Sequence, residues 1–167
     1  VPSPDDLSAR LIPFMAERGL TVAAAESLTG GELTAELTRV GGASAVVLGG
    51  VVVYATELKH TIVGVDADLL AAEGPVHPEV ARQLASGVRD ALAVSGQAAD
   101  IGLATTGVAG PDQQGGRPVG TVFVGISTAV GTRAVELALS GTRAEIRRQV
   151  VERVLAELAV EVGLDRG

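Results

Sequence analysis

The stretch TVAAAESLTGGELTAELTRV, Thr21 to Val40, decides how this chain folds. Thr21 to Glu26 is a short, alanine-rich, β-prone run, and Ser27-Leu28-Thr29-Gly30-Gly31 forms a turn. From about Gly30 to Val40 the pattern is helical, ending at Gly41-Gly42. Outward from it, strands and helices alternate. Leu7, Leu11, Phe14 and Met15 recur at helical spacing after Asp5 and Asp6, with a kink expected at Pro13 and a stop at Gly19. Ala45 to Tyr54, with five valines, reads as a buried strand broken or bulged at Gly49-Gly50.

A short helical stretch containing Lys59 follows, then a segment without clear pattern up to Gly74-Pro75. Pro78-Glu79 opens a helix with Val80, Leu84, Val88 and Leu92 on one face, and His77 reads as its entry residue. Asp100 to Thr105 reads as a strand, Thr106 to Pro118 as a loop dense in glycine and proline. Val119 to Ser127 and Thr132 to Leu139 read as a hairpin around Gly131. A closing helix from Thr142 to about Val162 carries Ile146, Val150, Val154, Leu158 and Val162 at spacings of four. The expectation is an α/β domain over residues 1–167, with a mixed β-sheet flanked by helices.

Composition narrows the function classes. Hydrophobic residues make up 47% of the 167, but aromatics only 2%, so the core is built from small aliphatic side chains. A net charge of −7 gives no cationic field for a nucleic-acid backbone, although a mononucleotide stays possible. The absence of cysteine excludes disulfides and thiolate metal sites and suits an intracellular protein. His60 and His77 are too few for an evident metal site. The apolar stretch Ala43 to Ala55 is too short to span a bilayer, and the first ten residues lack the pattern of a signal peptide. The chain reads as soluble and cytoplasmic.

Lys59 is the one lysine among thirteen basic residues and follows the one tyrosine, Tyr54, by five positions. An amine, unlike a guanidinium, can lose its proton near neutral pH and act as a base. Early placement in a helix and partial burial would both lower its pKa; the alternative is an ordinary surface lysine. Ser27, on a tight turn before a helix, is placed like a nucleophile. Thr29 and Glu32 fit a capping box, which would leave the Gly30 and Gly31 amides free to hold an oxyanion. The same residues also suit a plain strand-to-helix turn. Tyr54 would hydrogen-bond the serine, the lysine or a substrate. Gly107 and Gly110, in Thr106-Gly107-Val108-Ala109-Gly110-Pro111, permit close approach of backbone to a ligand, or belong to a flexible loop. Thr142 and Glu145 form a second capping box. Arg143 and Arg147, one turn apart near that helix start, form either a phosphate clamp or a solvated charged face.

Together, Glu26-Ser27-Leu28-Thr29-Gly30-Gly31, Gly49-Gly50 with Tyr54 and Lys59, Thr106-Gly107-Val108-Ala109-Gly110-Pro111, Arg117-Pro118-Val119-Gly120-Thr121-Val122 and Ser140-Gly141-Thr142-Arg143 resemble the CinA C-terminal domain family over about residues 6–162. The resemblance implies a three-layer α/β domain and nicotinamide mononucleotide (NMN) amidohydrolase activity, giving nicotinate mononucleotide and ammonia in pyridine nucleotide recycling. By position it implies Ser27 as nucleophile, Lys59 as general base, Tyr54 and Thr106 as supports, and Thr29, Gly30, Gly31, Gly107 and Gly110 around the substrate. Arg143 and Arg147 would hold the phosphate. It further implies a homo-oligomer, fusion to or association with a molybdopterin-binding-like domain, and no metal or organic cofactor. Four positions depart from the family pattern. Ala55-Thr56 replace a usual Ser-Asn, Leu28 a common Cys, and Thr142 a usual Asp.

Overall fold

The computed structural model describes residues 6–164. Five strands form one sheet in the order β2-β1-β3-β4-β5: β1 Val22–Glu26, β2 Val47–Val52, β3 Ile101–Gly107, β4 Thr121–Thr128 and β5 Gly131–Ala138. The first three run parallel, while β4 and β5 pair antiparallel as the expected hairpin. The helices are α1 Leu7–Glu17, α2 Glu32–Thr38, α3 Thr56–Thr61, α4 Ala67–Glu73, α5 Pro78–Ala91 and α6 Arg143–Val162.

Alternation along the strands sorts the sheet into two faces. Val22, Ala24, Ile101, Leu103, Val122, Val124 and Ile126 pack with α1, α2 and α6. Ala23, Ala25 and Ala104 face the other way, against Val80, Leu84, Ala85 and Val88 of α5. The fold is therefore a three-layer α/β structure. Scarcity of aromatics has a geometric counterpart under α5. A Cβ on Gly102 would run into the Ala85 carbonyl, and one on Gly125 into the Ala81 carbonyl, so helix backbone lies directly on sheet backbone.

Most local signals hold. Asp6 caps α1, its carboxylate accepting the Ala9 N–H at 3.1 Å, and the helix runs through Pro13; Asp5 lies outside the described residues. His77 Nδ1 accepts the Glu79 N–H at 3.1 Å at the start of α5. The Thr142–Glu145 capping box is made in both directions. Three expectations change. The valine-rich strand is the half-exposed edge β2, preceded by a 3₁₀ turn at Ala43–Ala45. Its register against β1 slips by one residue beside Gly49. The patternless segment contains α4, capped by the Asp66 carboxylate on the Asp68 and Leu69 N–H groups. Strand β3 continues to Gly107, which puts Thr106 on the sheet instead of in a loop.

Candidate active site

Where β1, β2 and β3 end, their carboxyl ends open a crevice, the usual ligand site of a parallel sheet. Glu26 pairs with Val52 at the ends of β1 and β2, so Ser27 and the Val53-Tyr54 segment leave the sheet side by side. The Ser27 N–H donates to the Thr105 carbonyl at 3.1 Å and to Thr105 Oγ1 at 3.2 Å, which anchors the serine to β3.

Lys59 reaches the same point from α3. Its side chain is buried, with 1% of the residue exposed, and Nζ lies 3.1 Å from Ser27 Oγ, 2.7 Å from the Val53 carbonyl and 3.2 Å from the Tyr54 carbonyl. Burial pushes its pKa down to about 8. The helix-dipole contribution expected from sequence does not apply, because Lys59 sits in the last turn of a six-residue helix. These contacts define what the amine does in each state. Charged, it donates three hydrogen bonds to three oxygens. Neutral, it satisfies the two carbonyls with its two N–H bonds and turns its lone pair to the Ser27 hydroxyl, the geometry of a general base.

A cavity of about 110 Å³ opens over this pair. Leu28, Tyr54, Thr106, Gly107, Gly110 and Arg143 line it together with Ser27 and Lys59, and Pro75, Val76, Val108, Ala109, Asp112 and Gln114 complete the wall. Thr106 Oγ1 donates to the Pro75 carbonyl at 2.6 Å and so ties two walls together. Arg143 donates to the Gly110 carbonyl at 2.7 Å and to the Tyr54 hydroxyl at 3.1 Å. The Gly110–Pro111 peptide is cis. Thr56 is exposed and lies outside the lining. Thr142 serves as the cap of α6.

Several residues expected at the site have other employment. The Gly30 N–H is taken by the Ser27 carbonyl at 3.0 Å, and the Gly31 N–H by Glu26 Oε1 at 3.2 Å, so neither is a free oxyanion donor. Thr29 makes no capping box with Glu32. Gly31 is the cap of α2 at φ 103°, and Thr29 is buried with its Oγ1 2.8 Å from Thr105 Oγ1. Tyr54 is 60% exposed and its hydroxyl meets Arg143 instead of Ser27 or Lys59; only its carbonyl touches the lysine. Arg147 does not line the cavity. It donates to the Leu28 carbonyl at 2.9 Å and the Thr29 carbonyl at 3.2 Å, and pairs with Glu32 at 2.8 Å, which removes it from a phosphate clamp.

Two residues escaped the sequence reading. Glu26, fully buried, accepts from the Gly31, Leu33 and Thr34 N–H groups and from Thr34 Oγ1 at 2.6–3.2 Å, doing for α2 what the capping box was expected to do. A carboxylate at the end of an otherwise apolar strand was the available signal. Thr105, next to the expected Thr106, carries the contacts to Ser27 and Thr29. Among the described residues, no three His, Cys, Asp or Glu side chains converge as metal ligands, and no helix is long and apolar enough to cross a membrane.

Comparisons with known proteins bear on the family and the fold. The family model described as CinA C-terminal domain matches residues 5–162. A CinA-like protein of Frankia casuarinae is 46% identical over 151 residues, covering 90% of this chain and 34% of the relative. Another from Gemmatimonas aurantiaca is 44% identical over 157 residues, covering 92% and 35%. The chain thus spans about a third of the length of these curated relatives. Among solved structures, a CinA superfamily protein from Klebsiella pneumoniae superposes with TM-score 0.87 at 28% identity, covering 97% of this chain and 99% of the other. A competence/damage inducible protein from Agrobacterium tumefaciens superposes with TM-score 0.85 at 32% identity, covering 97% of each. With the matched model spanning nearly the whole sequence and the same three layers in the solved structures, this chain belongs to the CinA C-terminal domain family.

Proposed function

We propose that the protein hydrolyses the carboxamide of NMN to nicotinate mononucleotide and ammonia with Ser27 as nucleophile and Lys59 as general base. The observation that carries this reading is the buried lysine amine 3.1 Å from the serine hydroxyl, with its other two bonds directed to fixed carbonyls. Ser27 Oγ attacks the carboxamide carbon while its proton passes to Lys59 Nζ. The C–N bond then breaks, with that proton delivered to departing ammonia, leaving an acyl-serine. Water adds to the acyl carbon, again giving its proton to Lys59, and the regenerated serine releases the carboxylate. No metal or organic cofactor enters these steps.

For the oxyanion, the Leu28 and Thr29 amides take the place first assigned to Gly30 and Gly31. Among the described residues neither has a protein acceptor, and Leu28 lines the cavity. Arg143, at the cavity wall and held by neutral oxygens only, supplies the positive charge for the 5′-phosphate. The mononucleotide is the substrate class that combines a carboxamide with one phosphate. Assembly into a homo-oligomer, and a partner or fused molybdopterin-binding-like domain, belong to the same proposal.

The test is ammonia release from NMN by the purified protein beside Ser27→Ala and Lys59→Met. Loss of roughly a thousandfold or more in both folded variants is expected, since members of such a unit fail together. Turnover that survives in either would sink the Ser-Lys assignment. A parent that binds NMN without releasing ammonia would instead make this a nucleotide-binding domain.

A further inference from the structure

The two arginines at the start of α6 have opposite surroundings. Arg143 faces the cavity, whereas Arg147, one turn on, grips the reverse side of the nucleophile turn through Nε to the Leu28 carbonyl and Nη2 to the Thr29 carbonyl. Its guanidinium is pinned by Glu32 at 2.8 Å. Gly30 permits the approach, since a Cβ there would sit 3.1 Å from Nη2. In a trans peptide the C=O and the following N–H point in opposite directions. Holding the Leu28 carbonyl toward α6 therefore directs the Thr29 N–H away from it. The Ser27 carbonyl, which accepts the Gly30 N–H, fixes the Leu28 N–H in the same manner. The Leu28 and Thr29 amides are the donors of this turn left without a protein acceptor among the described residues.

We propose that Arg147 is a positioning residue, a clamp from α6 that orients the Leu28–Thr29 peptide so that its donors meet the oxyanion formed on attack by Ser27. The inference rests on the hydrolase reading above and deepens it. A preset donor acts mainly in the transition state, so the clamp governs kcat and not substrate affinity. Loss of a phosphate ligand would behave differently, raising KM chiefly for the phosphorylated substrate.

The experiment compares wild type with Arg147→Ala, Arg147→Lys and Arg143→Ala on NMN and on nicotinamide riboside, which lacks the phosphate. In parallel, a fluorophosphonate probe reports phosphonylation of Ser27 by mass spectrometry, independently of amide turnover. For Arg147→Ala, kcat is expected to fall about 10- to 100-fold on both substrates with KM changed less than about twofold, and probe labelling to slow by a similar factor. Arg147→Lys, which keeps the charge but loses the fork, should lie between. Added guanidinium at low millimolar concentration should restore part of the Arg147→Ala rate, which a general loss of folding would not allow. Arg143→Ala should raise KM for NMN by a larger factor than KM for the riboside.

A raised KM for NMN alone in Arg147→Ala, or labelling at the wild-type rate, would overturn the clamp. If wild type labels at Ser27 but leaves NMN intact, the substrate assignment fails while the labelling rates still decide the clamp. A wild type inert to both reagents overturns dyad and clamp together.

Discussion

Replacing Lys59 by methionine should change the pH dependence of stability by an amount the structure fixes. The amine is an ordinary lysine of pKa 10.5 in the unfolded chain and is pushed down to about 8 by burial in the fold. Below pH 8 it is charged in both states, and the buried charge destabilises the fold by ~3 kcal/mol, the free-energy equivalent of that gap. As pH rises from about 8 to 10.5 the unfolded chain binds more protons than the folded one, so the penalty is relieved and stability rises. Methionine fills the same space without titrating. It leaves the Val53 and Tyr54 carbonyls unpaired, a pH-independent cost of about 1–3 kcal/mol. The difference between wild type and variant therefore moves in favour of wild type by ~2.5 kcal/mol between pH 7 and 10, whatever its starting value. Urea unfolding of both proteins at fixed pH values measures it, and titrations common to both cancel. A difference constant to within about 0.5 kcal/mol across that range would refute the burial argument and with it the neutral base.

The same lysine sets a kinetic profile. kcat/KM on NMN should climb about tenfold per pH unit below 8 and level off above it, with roughly a tenth of the molecules competent at pH 7; a profile flat from pH 6 to 9 would exclude Lys59 as base. Gly102→Ala should destabilise the protein by about 3 kcal/mol or more, because its Cβ meets the Ala85 carbonyl of α5 and backbone cannot rotate away. Gly131→Ala, with no atom within 4 Å of its Cβ, should cost less than about 1 kcal/mol in the same urea titration, and equal losses at the two sites would contradict the close helix–sheet packing.

What the sequence revealed and what it concealed differ by the range of the interactions involved. Element types follow from local periodicity, and caps such as Thr142 with Glu145 lie within four residues of each other, so both were legible. So was the serine and lysine pair, since one amine among arginines stands out in composition. The Thr29–Glu32 pattern misled because its outcome is settled by residues far away. Thr29 is drawn to Thr105, 76 positions on, Glu32 to Arg147, and Glu26 takes the amides left over. Arg143 and Arg147 share one helical face in any local reading. Only the docking of α6 against the Ser27 turn sends one to the cavity and the other behind it. Five valines marked a strand without saying whether it lay inside the sheet or at its edge, because edge position depends on which strands come to pair.

The acceptors around the Lys59 amine also bear on how freely this region can drift. Val53 and Tyr54 hold the amine through main-chain carbonyls, which every residue type carries. Substitution at these two positions changes side chains while leaving the cradle chemically identical, provided the chain path is kept. Ala55 and Thr56 sit in the stretch between that cradle and the lysine it holds. A base supported in this way is buffered against mutation in its own neighbourhood, and its weak points lie instead in the backbone: a proline or an inserted residue between Val53 and Lys59 would dismantle it where side-chain changes do not.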